Sequence, residues 1–448
     1  MKSLFVLFII GLIITIQAQY VDTTLVVGSG PAALINNTRE NKVYCANSEA
    51  DSLTVIDGVN NTILSHIAVG DGPWALAYNE VSNKIYCANR QANTVTVLDA
   101  VADTILENIT VGNSPQFLIW QPVANKVYCV NSGSDNVTVI DGTNERIIAT
   151  IAVGQNPIAA ALNSTSGKLY VANGAGNSIT VIDVENHSVI TTIDLGTPPQ
   201  AIAWHSTNNQ LYVAAIEAES VYALDGVSNA INARIAVGSQ PNALTSNPTN
   251  NLIYCANFGD GTATVISGGT NTVVAVVSVQ ANPYSLIYNP NTNKVHCANA
   301  GANSVSVIRC DHNVVEITLN VGEIPYALEI NLAQNTVYVA NYGDGTVTVI
   351  QDVIGIEESA QISKITTQNF SIIPNPANGP FRIKYEARNP DPISLQLFNT
   401  CGQLMKSYQI ISDQTDEFLI NPAPLGSGIY IIRLKSGSQV ITRKLILN

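Results

Sequence analysis

One pattern returns every 42 residues along most of this chain, and it constrains the fold more than any other feature. The segment Tyr-Cys-Ala-Asn at residues 44–47 recurs at this step in eight copies, without an insertion or deletion. A proline, first seen at Pro31, keeps the same step. A period this strict indicates one supersecondary unit copied many times. The tyrosine position is filled in chain order by Tyr44, Tyr86, Tyr128, Tyr170, Tyr212, Tyr254, His296 and Tyr338.

Each copy contains four short runs with the composition of β-strands. In one copy the runs are Trp74–Asn79, Lys84–Ala88, Thr94–Asp99 and Thr104–Val111. They are rich in Val, Ile, Thr and Tyr, and residues typical of turns separate them. No run shows the 3.6-residue periodicity of a helix. Four strands in about 42 residues is the size of one blade of a β-propeller.

The order of strands across the whole array predicts a closed ring. The array opens with a lone outermost strand within Thr23–Gly28, and it ends with three strands within Tyr326–Ile350. The first strand therefore supplies the missing fourth strand of the last unit, which leaves no open sheet edge at the joint. An open solenoid would instead need polar capping repeats. We expect eight blades, with seven as the alternative if one unit is displaced.

Composition and charge exclude several classes of protein. The chain has 448 residues, of which 46% are hydrophobic and 12% charged, so it is long and apolar enough to bury large cores. The formal net charge is −13 and no Lys/Arg run exists, which argues against nucleic acid or an anionic membrane as a partner. The apolar run Leu4–Ile16 predicts a signal peptide over residues 1–18. No later segment is long enough to cross a bilayer.

Seven cysteines in an exported chain would ordinarily indicate disulfides. Five of them instead occupy one position of the second strand, where other copies have valine, so we expect buried free thiols acting as small hydrophobic residues. These five are Cys45, Cys87, Cys129, Cys255 and Cys297.

The repeated motifs resemble the YVTN family of β-propeller repeats, found in surface-layer and secreted proteins of archaea and bacteria. The motifs are the Tyr-x-x-Asn strand, the Val-x-Val-Ile-Asp strand and the Gly-x-x-Pro turn, within residues 22–352. The resemblance implies the propeller fold but predicts almost nothing about function.

The last part of the chain breaks the period. Pro374-Asn375-Pro376, Gly428-Ile429-Tyr430 and Lys444 resemble the type A C-terminal sorting domain of the type IX secretion system of Bacteroidetes; Asn399 stands where that family usually has Asp. The resemblance implies a secreted or cell-surface protein that the type IX machinery exports, and the short strands predict a small Ig-like β-sandwich. The predicted order is signal peptide 1–18, propeller 19–352, linker 353–369 and sandwich 370–448.

No pattern of catalytic chemistry stands out from the repeats. The histidines do not pair at a zinc-like spacing, and no nucleophile elbow, phosphate loop or dinucleotide fingerprint is present. Repeated residues such as Asn47 and Asp57 are interpreted as turn-forming, because a calcium ring would need oxygens converging on one point. We therefore expect no catalytic residue, no metal and no cofactor.

The residue after the repeated proline is expected at the mouth of the central channel. There the chain carries Trp74, Tyr284 and Tyr326, in blades that become near neighbours once the ring closes. Loops between the second and third strands add Phe258 in blade six, Tyr342 in blade eight and Arg90 in blade two to the same side. We predict that these six residues form an aromatic crescent that binds an extended ligand, such as a glycan, a peptide or a matrix protein. The alternative is that the rings only plug the channel or pack against neighbouring loops.

Three functions follow from these features. The first is a non-enzymatic binding, adhesion or surface-layer scaffold module. The second is a propeller enzyme of the lactonase or lyase type, which needs a channel-facing cluster of charged residues. Only Glu217, Glu219, Glu323 and Arg90 are expected near that face, and they are spread over several blades. The third is a structural tile of a surface coat.

Overall fold

The computed structural model describes residues 19–352, 370–373, 375, 377–385, 393–399, 404–410, 417–422, 425–436 and 439–447. The predicted signal peptide and linker lie outside the described residues. The chain forms two compact units, divided between Asp352 and Val353. All regular elements in the described residues are strands, and none of these residues forms a helix long and apolar enough to cross a membrane.

Eight antiparallel sheets of four strands each make up the first unit. The innermost strands of blades one to eight are β2 (Pro31–Asn37), β6 (Pro73–Asn79), β10 (Pro115–Gln121), β14 (Pro157–Asn163), β18 (Pro199–His205), β22 (Pro241–Asn247), β26 (Pro283–Asn289) and β30 (Pro325–Asn331). The second strands are β3 (Lys42–Asn47), β7 (Lys84–Asn89), β11 (Lys126–Asn131), β15 (Lys168–Asn173), β19 (Gln210–Ala215), β23 (Leu252–Asn257), β27 (Lys294–Asn299) and β31 (Thr336–Asn341).

The outer half of each blade follows the same plan. The third strands are β4 (Ser52–Asp57), β8 (Thr94–Asp99), β12 (Asn136–Asp141), β16 (Ser178–Asp183), β20 (Ser220–Asp225), β24 (Thr262–Ser267), β28 (Ser304–Arg309) and β32 (Thr346–Asp352). The outermost strands are β5 (Thr62–Ala68), β9 (Thr104–Thr110), β13 (Ile147–Ala152), β17 (Ser188–Asp194), β21 (Ile231–Ala236), β25 (Thr272–Ser278), β29 (Val314–Asn320) and, for blade eight, β1 (Gln19–Val26).

The first strand of the propeller closes the ring. β1 pairs antiparallel with β32, with Gln19 opposite Asp352 and Val26 opposite Thr346. Each innermost strand contacts the innermost strands of the two adjacent blades, including β30 with β2 across the closure. The predicted eight-bladed ring with a shared last blade is confirmed, and the seven-bladed alternative is wrong.

Hydrophobic cores lie between neighbouring blades rather than at the centre of the ring. Between blades one and two, for example, Tyr44 and Val55 of one sheet pack with Ile85, Cys87 and Leu98 of the next. All five side chains have no exposed surface. Because burial of one large apolar side chain contributes about 1.5–3 kcal/mol, each blade is stabilised chiefly by its neighbours.

The repeated polar residues at strand ends form turns, as interpreted from the sequence. Asn47 Nδ2 donates to Ser52 Oγ at 3.2 Å and to Thr54 Oγ1 at 2.9 Å, which ties the second strand to the third. Asp57 Oδ1 accepts the backbone N–H of Val59 at 2.8 Å. These side chains therefore satisfy local backbone and hydroxyl groups.

The second unit is a small β-sandwich. One sheet contains β33 (Phe370–Ile373), β34 (Phe381–Tyr385) and β37 (Glu417–Ile420); the other contains β35 (Ile393–Asn399), β36 (Leu404–Ile410), β38 (Gly428–Ser436) and β39 (Gln439–Leu447). Both sheets contribute to one buried core, in which Phe381 and Ile420 of the first sheet share a cluster with Leu395, Ile432 and Leu445 of the second. Two sheets over a shared core are the expected sandwich arrangement.

Candidate functional site

In every blade, the residue after the repeated proline lies in a β-bulge of the innermost strand. In blade two, Pro73 pairs with Asn89 and Ala75 with Ala88, which leaves Trp74 without a partner across the ladder. A bulge of this kind turns a side chain away from the regular alternation of the strand. The bulge is the local reason why this position faces the mouth of the channel.

The loops between second and third strands reach the same rim. Arg90 follows β7 and donates its backbone N–H, at 2.8 Å, to Gly72 O in the turn that precedes the inner strand of the same blade, β6. Phe258 and Tyr342 make the equivalent bond in their own blades, at 3.0 and 2.9 Å. These bonds hold three further predicted residues beside the bulged positions.

Five rings on this rim form one continuous group, which we call the aromatic cluster. Tyr326 is at its centre, with ring centroids 4.4 Å from Tyr284, 5.6 Å from Tyr342 and 5.9 Å from Trp74. Phe258 extends the group, because its centroid is 6.4 Å from that of Tyr284. These spacings lie in the favourable range for aromatic pairs, and the cluster runs from blade six to blade two.

Blade one has only a methyl group at its bulged position. Its bulged residue is Ala32, which is 5% exposed. Because Ala32 is small, Trp74 of blade two meets Tyr326 of blade eight across blade one, with their ring planes at 70°. The aromatic cluster therefore depends on the small side chain of Ala32 as well as on its five rings.

Hydrogen bonds connect the same positions in blades five to eight. The Tyr284 hydroxyl donates to the Tyr326 hydroxyl at 2.8 Å, and Asn242 Nδ2 donates to Tyr284 O at 2.8 Å. Gln200 Nε2 donates to Asn242 Oδ1 at 3.4 Å. Burial raises the pKa of the Tyr284 and Tyr326 phenols, so both remain neutral donors over the physiological range.

A pocket of about 510 Å³ adjoins the cluster over blades one and two, and we call it the side pocket. Its lining includes Glu49, Trp74, Arg90, Asn93, Asn113 and Tyr342. The Arg90 guanidinium lies over the Trp74 ring, 5.0 Å from its centroid, and Glu49 Oε1 accepts the Tyr342 hydroxyl at 3.0 Å. Among the described residues no carboxylate forms an ion pair with Arg90.

The structure brings all six predicted binding residues together, and their binding of a ligand stays a prediction. The acidic residues considered for an enzyme do not converge, since Glu217 and Glu219 are exposed on blade five and Glu323 is exposed on blade eight. In the part of the chain that the structure describes, no three His, Cys, Asp or Glu side chains are placed to hold a metal ion.

Sequence reasoning missed Glu329, a partly buried carboxyl on the innermost strand of blade eight. Desolvation raises its pKa to about 8, although Glu329 Oε1 accepts the Ile330 N–H at 3.2 Å. The missed signal was the comparison of blades, because the equivalent position is apolar or Thr elsewhere. The other occupants are Ile35, Ala77, Ile119, Ala161, Ala203, Thr245 and Ile287.

Fold and rim together define an eight-bladed β-propeller joined to a β-sandwich tail. Residues 371–448 match the family model described as the secretion system C-terminal sorting domain. The protein is therefore exported by the type IX secretion machinery, with which its tail interacts, to the cell surface or the medium.

Comparison with solved structures supports the fold alone. A structure titled Kuenenia stuttgartiensis hydrazine synthase is similar, with a TM-score of 0.53 and 16% sequence identity, over 75% of this chain and 98% of that one. No curated protein matches the chain.

Proposed function

We propose that the propeller is a non-enzymatic recognition module that binds an extended extracellular ligand across the aromatic cluster, in adhesion or as part of a surface layer. The observation that carries this proposal is the continuity of five rings along one rim, from Phe258 to Trp74. Aromatic rings offer large, rigid contact area at little entropic cost, and a propeller mouth is concave. We also infer that the repeats belong to the YVTN family, on the motifs given above.

The exposure of the rings favours binding over simple packing. Trp74, Tyr284 and Tyr326 each keep part of their surface exposed, although they contact one another. The repeat tyrosines such as Tyr44, which serve only the joints between blades, have no exposed surface. Rings that only plugged the channel would resemble the second group.

The test is a glycan and matrix-protein array probed with the full chain and with a Trp74→Ala/Tyr284→Ala/Tyr326→Ala variant. Tyr288→Ala is the matched control, because Tyr288 lies on the same strand as Tyr284 but bonds Thr249 at the far end. We expect the triple variant alone to lose binding. Equal binding by the triple variant would contradict the proposal. If no protein bound anything, the coat-tile function would be favoured, with concentration-dependent assembly as its measurement.

One observation favours the second candidate, a propeller enzyme of the lactonase or lyase type. Glu329 carries a raised pKa on an innermost strand, and perturbed carboxyls of this kind often act as general acids or bases. Such an enzyme would cleave lactone or ester substrates with a rate that depends on a group of pKa near 8, and Glu329→Gln would abolish that dependence. Absence of turnover on a panel of such substrates would exclude this candidate.

A further inference from the structure

The side pocket differs from the rest of the rim because it combines aromatic walls with fixed charges of both signs. Trp74 and Tyr342 belong to both the pocket and the aromatic cluster. An extended ligand that binds along the aromatic cluster therefore places one of its repeating units next to the side pocket. Its volume of about 510 Å³ lies within the usual range for sites that hold small ligands.

We propose that the side pocket binds one sugar unit of a neutral glycan, whose ring packs on the aromatic wall while adjacent hydroxyls bridge Glu49 and Arg90. This inference rests on the proposed recognition function. It names the class of ligand and the residues that select it.

The hydrogen-bond donors and acceptors of the side pocket favour hydroxyl groups. An ionised Glu49 only accepts hydrogen bonds, whereas the Arg90 guanidinium only donates them. A hydroxyl group does both, so two neighbouring hydroxyls satisfy both residues at once. Asn93 adds a donor, because its Oδ1 already accepts the Ser114 N–H at 2.8 Å and its amide NH₂ remains for a ligand.

Both charged groups are held in place before a ligand arrives. The Tyr342 hydroxyl bonds Glu49 at 3.0 Å, and Arg90 stacks on Trp74 at 5.0 Å. Side chains that are ordered in advance lose little conformational entropy on binding. The arrangement therefore suits an uncharged, hydroxyl-rich ligand.

Charge disfavours the other ligand classes. A carboxylate on an acidic polymer would pair with Arg90 but would face Glu49, and the chain has a formal net charge of −13. A cationic ligand would satisfy Glu49 and face Arg90. An extended peptide would gain most from an open strand edge, whereas the lining of the side pocket comes from turns and loops, apart from Trp74 in its bulge.

The experiment is titration calorimetry of the full chain with hexasaccharides of β-1,4-glucose, β-1,3-glucose, β-1,4-xylose, β-1,4-mannose and α-1,4-glucose. Oligogalacturonate and a library of decapeptides serve as the acidic and peptide probes. We expect binding of at least one neutral hexasaccharide, weakened about tenfold or more by Glu49→Gln and by Arg90→Gln, which is about 1.4 kcal/mol. Glu80→Gln, on an exposed turn of blade two, is the control and should bind as the parent does.

The outcomes separate this inference from the proposed function. If a neutral glycan binds and neither Glu49→Gln nor Arg90→Gln changes its affinity, the proposal that the side pocket holds a sugar unit is wrong. Binding of only oligogalacturonate or peptide, lost in the triple aromatic variant, would overturn the neutral glycan and keep the recognition module. Binding of no probe would overturn both. A thermal unfolding midpoint unchanged in each variant would show that a loss of binding is not a loss of fold.

Discussion

The Tyr338 hydroxyl donates a hydrogen bond to Asn61 Oδ1 at 2.6 Å, across the joint between blade eight and blade one. The same bond joins the buried repeat tyrosine of other blades to the turn between third and outermost strands of the next blade. These pairs are Tyr44 with Asp103 at 2.5 Å, Tyr170 with Asn229 at 2.7 Å, Tyr212 with Asn271 at 2.7 Å, and Tyr254 with Asn313 at 2.6 Å. In these five blades the repeated tyrosine therefore bonds one blade to the next, whereas the buried Tyr86 hydroxyl has no hydrogen-bond partner among the described residues and the Tyr128 hydroxyl lies 3.3 Å from His187 Nδ1.

Asn61→Ala should destabilise the propeller by about 1–3 kcal/mol, because it leaves the buried Tyr338 hydroxyl without its acceptor. Adding Tyr338→Phe removes the unpaired hydroxyl, so the double variant should recover part of that loss. Thermal and urea unfolding of the parent, Asn61→Ala, Tyr338→Phe and the double variant gives the four free energies of a double-mutant cycle. Strictly additive effects would show that this bond contributes nothing to closure.

The same geometry explains why blade seven has His296 at the position where the other seven blades have tyrosine. Blade eight takes its outermost strand from β1, so the chain does not turn from the third strand of that blade to its own fourth strand. A phenol in blade seven would therefore have no equivalent turn to bond. The imidazole instead lies against Asp352, with Nε2 and Oδ2 3.6 Å apart.

Acidification should weaken the propeller through His296. Its side chain is fully buried beside Asp352, Lys294 and Glu316, and burial lowers its pKa. The folded state therefore keeps the imidazole neutral while the unfolded state gains a proton below about pH 6.5, so stability falls by at most about 1.4 kcal/mol per pH unit. Unfolding midpoints at pH 7.5 and 5.5 measure this slope.

His296→Gln should reduce the slope, whereas His312→Gln, at an exposed site, should not. A slope that both variants share with the parent would contradict the assignment. His205, whose pKa burial also lowers, contributes in the same direction, so the slope should not vanish.

The cysteines of the second strands pack in the cores between blades and also donate hydrogen bonds. Six thiols are free and buried in the described residues, namely the five predicted from the sequence and Cys310, and burial raises their pKa. Cys45 Sγ also donates to Asn47 Oδ1 at 3.5 Å. In blades four and eight, where valine replaces cysteine and the asparagine is kept, the side-chain oxygens of Asn173 and Asn341 are buried without a partner in the described part of the chain.

Val171→Cys should therefore stabilise blade four by about 0.5 kcal/mol, since it supplies a donor to Asn173 Oδ1. Val213→Cys is the control, because blade five has Ala215 in place of the asparagine. The reverse change, Cys45→Val, should cost a similar amount. Urea unfolding measures all three, and a gain in Val213→Cys equal to that in Val171→Cys would point to packing rather than to the bond.

The sequence predicted what every blade shares and missed what depends on one neighbour. Strand order, closure and the six rim residues follow from positions repeated at a constant step. The contact of Trp74 with Tyr326 depends on the small Ala32 between their blades, and the pKa of Glu329 depends on the burial of its carboxyl. Each feature appears once in eight copies. Comparison of the blades marks Glu329 as the odd residue at its position, but the burial of its carboxyl and the contact between the two rings depend on tertiary packing that the repeat does not encode.

Alkaline conditions should weaken the propeller through Glu329. Its pKa is raised to about 8 in the folded state, so the folded state binds a proton that the unfolded state releases above about pH 4.3. Stability from this group is complete below that pH and is lost as the pH rises through 8. Glu329→Gln should match the parent at pH 5 and exceed it at pH 9, as read from unfolding midpoints.

The exposed Glu323→Gln provides the comparison, because it should leave the pH dependence unchanged. A parent midpoint that stays level between pH 5 and 9 would mean that this carboxyl is ionised in the folded protein, and a dependence that survives in Glu329→Gln would assign that dependence to other groups.

Ala32→Gln should divide the aromatic cluster without removing a ring. Gln116 and Gln200 occupy the same bulged position in blades three and five, so the bulge accommodates glutamine and the fold should persist. The longer side chain would separate Trp74 from Tyr326, whose centroids are now 5.9 Å apart. We expect weaker ligand binding and a shift in tryptophan emission, with an unchanged unfolding midpoint. Gln116→Ala, the reverse change away from the cluster, should alter neither, and parental binding by Ala32→Gln would mean that blades two and eight act separately.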